Sequence, residues 1–189
     1  LRTVPVADPV ARALGAEPLQ AEESTSLGLG ATWTLGEAWT ITADAYRIDI
    51  DDRIVLSENL VGQAVRDFLG ANGFPGIDGG RYFTNAVDTR TDGIDLISRT
   101  DLDLGDAGTL GITVGYNHNE TSIERVAPNP AALEAVSLGL QRIGRAETGR
   151  ITVGSPEDKL ILGLDWAREA FSARLGATLY GEYTVLSNT

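Results

Sequence analysis

Several residue types that commonly indicate a function are missing or scarce in this chain of 189 residues. There is no cysteine, so disulfides and thiolate metal sites are excluded. The single histidine, His118, excludes a metal site built from several histidines. No apolar run approaches the roughly 20 residues of a membrane-spanning helix, and the first residues lack the pattern of a signal peptide. Methionine is also absent, and we therefore expect a fragment of a larger protein.

Positive charge is scarce as well. The chain has 15 Lys and Arg residues against 27 Asp and Glu residues, which gives a formal net charge of −12. A nucleic acid or an anionic lipid surface needs a basic face on its partner, so both classes of partner are disfavoured. Hydrophobic residues make up 42% of the chain and recur periodically, which favours an ordered structure over disorder.

Six segments alternate apolar and polar residues at the period of a β-strand. One side of each segment is rich in Leu, Ala and Trp, and the other side is rich in Gly, Thr, Asp and Arg. Glycine weakens a strand and often marks crowding or bending, so the second side does not resemble a solvated protein surface. The segments are 25–33, 38–55, 82–101, 110–117, 159–166 and 171–180.

The segment 38–55 changes character along its length. From Trp39 to Ala45 every second residue is apolar, so one side of the strand is apolar. Arg47 and Asp49 then continue that same side. Eight or nine tilted residues cross the apolar band of a membrane barrel, which is about 25 Å tall. We therefore expect this strand to leave the hydrocarbon after Tyr46. A β-bulge near Tyr46, which would turn Ile48 outward instead, is the alternative.

The connections between the predicted strands alternate in length. Short turns are expected at 35–38, 104–108 and 167–170, and long connections at 57–81 and 119–156. Outer-membrane barrels alternate short periplasmic turns and long extracellular loops in this way. Helical spacing occurs inside both long connections, with Ser57 as a possible N-cap and Gly70 as a possible stop in the first. Residues 1–20 are predicted to be an irregular lead-in.

Large aromatic residues flank two of the three short turns on the apolar side, and the second turn lacks them. Amphipathic rings prefer the boundary between headgroups and hydrocarbon, so they are predicted to form part of an aromatic girdle. The alternative is that they close the end of a soluble core. The residues are Trp33, Trp39, Trp166 and Phe171.

Four strings, in this order, resemble the C-terminal part of the barrel of a TonB-dependent outer-membrane receptor, from about Glu22 onward. They are TADAYRIDIDDRIVLS, RYFTNAVDTRTDGIDLISRTDL, GTLGITVGYNHNET and SPEDKLILGLDWAREAFSARLGATLYGE. The resemblance implies an all-β, antiparallel, up-and-down transmembrane β-barrel of 22 strands, with short helices in long extracellular loops. About six of those strands lie here, so residues 1–189 are expected to be a partial barrel domain. The plug domain, the TonB box and the C-terminal end of the barrel are expected to lie outside it.

The resemblance also implies a function, a location and partners. The parent protein is expected to sit in the outer membrane of a Gram-negative bacterium and to import a scarce ligand with energy from TonB. Ferric siderophores, cobalamin and oligosaccharides are the candidate ligands. The implied partners are TonB and the inner-membrane energy complex, reached through the plug, together with outer-membrane lipid and no nucleic acid. No catalytic constellation is present, so we expect neither an enzyme nor a cofactor or metal site.

Ligand contacts are expected from the upper lumen side of the strands and from the two long connections. His118 is a candidate contact for a metal or a siderophore. For every candidate the alternative is a solvated loop residue or a hydrogen bond between strands. The candidates are Tyr82, Asn85, Asp88, Arg90, Asn117, His118 and Asn119.

Two other classes of protein fit parts of the pattern. A soluble β-sandwich or small barrel that binds carbohydrate would use the same alternation with its apolar side turned inward. A porin or an autotransporter translocator would share the membrane barrel but lack an upstream plug.

Overall fold

Six of the alternating segments form one antiparallel sheet in the computed structural model, which describes residues 2–36, 38–136 and 139–187. Each strand pairs with the next long strand along the chain, so the sheet is an up-and-down meander that does not close on itself. A separate pair of two-residue strands, β3 and β4, lies in the first long connection. The strands are β1 (Glu23–Leu35), β2 (Trp39–Leu56), β3 (Leu60–Val61), β4 (Gly79–Gly80), β5 (Phe83–Asp103), β6 (Thr109–Val126), β7 (Asp158–Arg168) and β8 (Phe171–Tyr180).

The connections alternate in length as predicted. Short turns join β1 to β2, β5 to β6 and β7 to β8, whereas long connections join β2 to β5 and β6 to β7. A 3-10 turn, Gly105–Ala107, forms the middle short connection. Among the described residues, no helix has both the length and the apolar character to cross a membrane. The helices are α1 (Pro9–Ala13), α2 (Gln63–Ala71), α3 (Ala131–Val136) and α4 (Arg145–Thr152).

The pairing register gives the sheet two unlike faces. The apolar face carries Leu27, Leu29, Ala31, Trp33, Leu35, Trp39, Ile41, Ala43, Ala45, Ile94, Leu96, Leu102, Leu110, Ile112, Val114, Tyr116, Leu160, Leu162, Leu164, Trp166, Phe171, Ala173, Leu175, Ala177 and Leu179. The polar face carries Gly28, Gly30, Thr40, Thr42, Asp44, Tyr46, Gly93, Asp95, Ile97, Arg99, Gly111, Thr113, Gly115, Asn117, Asn119, Ile161, Gly163, Asp165, Arg174, Gly176 and Thr178.

The apolar face is uncovered. Leu29 is 82% exposed and Leu175 is 67% exposed, and leucines and isoleucines in the middle of the sheet are exposed as well. A soluble sandwich would bury these side chains against a second sheet, and the described residues contain no such layer. The prediction of a soluble carbohydrate-binding sandwich or small barrel as the alternative is therefore wrong, and the face suits a hydrocarbon solvent.

β2 keeps its alternation through the point where its apolar side becomes charged. Its pairing with β1 and β5 is unbroken from Trp39 to Ile50. The register shifts only between Ile50 and Ile54, where Asp52 has a φ of 50°. The alternative of a bulge near Tyr46 is therefore wrong. The charged side chains stay on the same side as the apolar face and continue it toward the long connections.

The long connections and the N-terminal segment fold together into one structure, here called the loop cap (residues 2–20, 57–82, 127–136 and 139–157). Its buried core joins Leu14 from the N-terminal segment, Leu69 and Tyr82 from the first connection, and Leu133 from the second. The prediction of an irregular lead-in is only partly right, because a short helix, α1, begins after Asp8, whose side chain accepts a hydrogen bond from the Val10 N–H at 2.8 Å.

The predicted helix boundaries in the cap are only partly right. α2 begins at Gln63 rather than after Ser57 and ends at Ala71. Ser57 is buried instead, with its hydroxyl donating to the Glu58 carbonyl and accepting from the Tyr82 N–H. In the second connection the predicted helical spacing of Leu133, Val136, Leu140 and Ile143 corresponds to a helix only at α3, and α4 lies beyond it; residues 137–138 lie outside the described residues.

The loop cap packs against the polar side of the sheet at one end of the strands. Ile123 has the same orientation in β6 as the polar-face residues Asn117 and Asn119. It packs against Ile143 and Ile151 of the second connection, next to the buried Val87 of β5. The cap therefore lies on the same side of the sheet as the polar face, at the ends of β5 and β6 that lead into the long connections.

Candidate ligand-contact region in the loop cap

The two long connections are joined through Glu58. Its backbone N–H donates to the Arg142 carbonyl at 2.8 Å, and its carboxylate accepts the backbone N–H of Glu147 at 3.0 Å. α4 starts after Gly144, which supplies no side-chain cap of its own. A carboxylate at a helix N-terminus satisfies a free N–H and complements the helix dipole. Glu58 of the first connection therefore caps a helix of the second.

A cavity of about 330 Å³ lies at this junction. Its floor is formed by the buried Glu58 and Gly144, and its rim is formed by exposed polar side chains. Carboxylate, amide and guanidinium groups offer both acceptors and donors to a polar ligand. The lining residues are Glu58, Asn59, Gly139, Leu140, Gln141, Gly144 and Arg145.

The junction contains a second buried carboxylate, that of Glu147. Burial raises its pKa, and the nearby Glu58 carboxylate adds to the effect, while Arg150, whose guanidinium lies 3.2 Å away, opposes it. An acid with a raised pKa in the folded state binds its proton more tightly there than in the unfolded chain. Its contribution to stability is therefore fully present in acid and is lost as the pH rises.

We expect the local stability of α4 to decrease as the pH rises from about 4.3, the ordinary pKa of glutamate, through the raised pKa of Glu147. The check is hydrogen exchange of the α4 amides, expressed as protection factors at each pH. Glu147→Gln should remove this decrease. The same slope in the variant would contradict the assignment.

Asp88 is expected to give stability the opposite dependence on pH. Hydrogen bonds from the Arg125 guanidinium, one of them 2.9 Å long, lower the pKa of its carboxyl group. Its contribution to stability is therefore present above the ordinary pKa of aspartate and is lost as the pH falls through the lowered one. Comparing the wild type with Glu147→Gln separates the two contributions.

Two of the sequence-predicted ligand residues lie together on the polar face. Asn117 donates to the Asp95 carboxylate at 2.7 Å and to the Tyr46 hydroxyl at 3.4 Å. Asn119 donates to the Asn117 side-chain oxygen at 3.0 Å. These side chains form a polar network on the side of the sheet against which the loop cap packs further along β6.

Two other predicted residues, His118 and Arg90, point to the opposite side. The His118 Nδ1 lies 3.0 Å from the Asp158 carboxylate, and Arg90 pairs with Asp49 at 2.7 Å. Both residues continue the apolar face beyond its last apolar residues. They are therefore not brought together with Asn117.

The remaining three predicted residues make contacts within the cap, between the cap and the sheet, and within the sheet. Tyr82 is fully buried, and its hydroxyl donates to the Leu14 carbonyl at 2.9 Å. Asn85 binds the backbone N–H of Gln20 at 2.9 Å and the Gln20 carbonyl at 3.0 Å. Asp88 is engaged by Arg125. None of the three lines the cavity.

The sequence interpretation did not identify Glu58 or Arg145 as candidates. A local signal was present, since the residues before α4 include no Ser, Thr, Asp or Asn to cap it. A helix without its own cap needs a partner from elsewhere. The sequence alone does not say which acidic residue supplies it.

The four predicted girdle aromatics lie on the apolar face beside the short turns. The Trp39 indole N–H donates to Ser98 Oγ at 2.8 Å, and the Trp166 indole N–H donates to the Ala107 carbonyl at 2.8 Å. Each of these rings thus exposes apolar carbon while its polar group is satisfied within the protein. That arrangement suits a membrane boundary, and the girdle stays a prediction.

Comparisons with known proteins agree with this architecture. The family model described as "TonB dependent receptor-like, beta-barrel" matches residues 4–189. Among solved structures, the FrpB iron transporter from Neisseria meningitidis (F3-3 variant) is similar, with a TM-score of 0.51 and 13% identity over 93% of this chain. This chain spans 19% of that protein's length, and at such low identity the likeness concerns the fold. No curated protein sequence matches significantly.

Proposed function

The chain belongs to the TonB-dependent receptor β-barrel family, and on that premise we propose that it forms part of the wall of a receptor that imports a scarce ligand across the outer membrane. The supporting observation is the sheet itself, whose apolar face is exposed, while the loop cap packs on the side of the polar face at the ends of the strands. In a barrel wall the first face contacts lipid and the second faces the lumen.

We also propose that this chain is one part of a larger protein whose other parts have separate roles. The six strands are a portion of a closed barrel, since β1 and β8 are each paired on only one side among the described residues. The other strands, a plug domain and the segment that binds TonB belong to the rest of the full-length receptor. Ligand uptake is then driven by a TonB-dependent movement of the plug, and this chain performs no bond chemistry.

The candidate ligands are a ferric siderophore, cobalamin or an oligosaccharide. The cavity at Glu58 supports a ligand that offers several hydrogen-bonding groups, because four of its seven lining residues have polar side chains, namely Glu58, Asn59, Gln141 and Arg145. We further propose that the cavity rim, rather than His118, supplies this chain's direct contacts.

Arg145→Ala in the full-length receptor should raise the ligand concentration needed for half-maximal uptake by about tenfold, the effect of losing one hydrogen bond from a charged group. The assay measures TonB-dependent uptake of ferric siderophores, cobalamin and oligosaccharides by cells that lack their own receptors. Arg66→Ala, which changes an exposed arginine of α2 outside the cavity, is the matched control.

Uptake of none of these ligands, or uptake that persists without TonB, would contradict the proposed function. If both arginine substitutions change TonB-dependent uptake equally, the proposed uptake function would stand, but the cavity would not be the site of ligand contact.

A further inference from the structure

After its last strand the chain returns to α4. β8 is followed by residues 181–187, here called the return segment, which leave the sheet and lie against α4 of the second long connection. The Gly181 N–H donates to the Asp158 carbonyl at 2.8 Å, and the Thr184 N–H donates to the Val153 carbonyl at 2.8 Å. The second bond supports the helix directly, because Val153 is the C-cap residue of α4.

Leu186 of the return segment packs on Gly149 in the middle of α4. A β-carbon at position 149 would lie 2.6 Å from the Leu186 Cδ1 and 2.9 Å from its Cβ. The whole leucine side chain would therefore have to move if position 149 carried any other residue. Glycine is among the poorest residues for a helix interior, and here it permits the close approach of Leu186.

Leu186 is the apolar side chain that anchors the return segment. Its neighbours Tyr183 and Val185 are 60% and 80% exposed, whereas Leu186 is half-buried. Beside it, a cavity of about 200 Å³ remains between the segment and α4. The attachment is therefore narrow, and it depends strongly on one side chain.

Parts of the chain that are distant in sequence support both ends of α4. At its N-terminal end the Glu58 carboxylate accepts the Glu147 N–H at 3.0 Å, and at its C-terminal end the return segment supplies the Thr184 N–H. Each contact satisfies a backbone group that the helix cannot satisfy itself. A helix of eight residues is marginal in water and forms cooperatively, so the loss of either support lowers the ordered fraction of the whole helix.

The cavity at Glu58 depends on this helix. Arg145, the first residue of α4, lines the cavity, and Val153 lies eight residues further on, about 12 Å along the helix axis. If a binding site is formed in only a fraction of the molecules, its apparent dissociation constant rises by the inverse of that fraction. A contact near the far end of α4 therefore affects the cavity through the order of the helix.

We propose that the contact between Gly149 and Leu186 is a latch that positions Arg145 for ligand contact. When the latch is closed, α4 is ordered and the cavity rim is complete. When the return segment detaches, α4 unfolds from its C-terminal end and the rim loses Arg145. Gly149 and Leu186 are positioning residues, since neither is among the described residues that line the cavity. The effect on the ligand rests on the proposed uptake function, whereas the latch itself does not.

Hydrogen exchange of the full-length receptor in a bilayer, without ligand, tests the latch. Gly149→Ala should lower the protection factor of the Glu147 amide by about tenfold, because Leu186 is displaced. Once Leu186→Ala has made room, the same Gly149→Ala substitution should raise that protection factor about threefold, since alanine is the better helix former.

Gly70→Ala is the matched control for hydrogen exchange. Gly70 is a helical glycine of α2 at which a β-carbon would meet open space. Its substitution should raise the protection of α2 and leave the Glu147 amide unchanged.

Uptake by cells tests the consequence for the ligand, with the same ferric siderophores, cobalamin and oligosaccharides as above. Gly149→Ala and Leu186→Ala should each raise the concentration needed for half-maximal uptake by about threefold, at an unchanged maximal rate, as the competent fraction falls. Gly70→Ala and Val185→Ala should leave that concentration unchanged.

The two measurements separate the possible failures. If Gly149→Ala changes the protection of the Glu147 amide equally with and without Leu186, there is no latch. Lowered protection with unaltered uptake would overturn the link between the latch and the cavity. Uptake of none of the ligands would count against the proposed function, and hydrogen exchange alone would then decide whether the latch exists.

Discussion

Leu162→Arg is expected to destabilise the barrel by about 2–4 kcal/mol in a bilayer, the cost of an arginine near the midplane of the lipid-facing surface. Ile161→Arg, one residue earlier, should cost much less. The two side chains are almost equally exposed, at 39% and 41%, and both are aliphatic residues of β7. They differ in that Leu162 belongs to the apolar face and Ile161 to the polar face.

The measurement is the free energy of unfolding of the complete barrel in phospholipid vesicles, from a urea titration. In water two equally exposed aliphatic positions would respond alike to arginine, so the difference reports which solvent each face meets. Equal losses for the two variants would show that the apolar face does not contact lipid.

Tyr82→Ala should disrupt the loop cap, with a local loss of about 3–5 kcal/mol, as is typical when a large buried aromatic side chain is removed. Tyr82 is the largest fully buried side chain of the described residues, and it belongs to the cap core together with Leu14 and Leu69. Burial raises the pKa of Tyr82 to about 12, so its hydroxyl remains a donor to the Leu14 carbonyl. Hydrogen exchange of the α2 amides measures the loss.

Tyr82→Phe is the matched control, because it keeps the ring and removes only that hydrogen bond, at a cost of about 1 kcal/mol. If Tyr82 instead bound ligand through its hydroxyl, Tyr82→Phe would weaken uptake while leaving the α2 amides protected. That outcome would contradict the structural role assigned to this residue.

The two faces of the sheet could be predicted because a strand repeats every two residues, and that period is visible within a single segment. The alternation of short and long connections could be predicted for the same reason, because the spacing between predicted strands gives the length of each connection. β2 shows the limit of this approach. Its unbroken pairing past Tyr46 and its bulge near Asp52 depend on contacts with β5, which the segment does not contain.

The loop cap could not be predicted for a related reason. Tyr82 reaches Leu14 across 68 residues, and Glu58 reaches Glu147 across 89. Ser57 is a residue type that commonly caps helices, but its hydroxyl accepts a hydrogen bond from the Tyr82 N–H instead. Whether a polar side chain caps a helix, links two segments by a hydrogen bond or contacts a ligand depends on partners that are distant in the sequence.

The capping of α4 by Glu58 has a consequence for how the protein assembles. A helix of eight residues is marginal in water, and this one has no terminal side chain of its own to hold its first turn. It becomes stable only when the earlier connection has been synthesised, folded and brought alongside. Within the loop cap, α4 therefore becomes ordered after the first long connection.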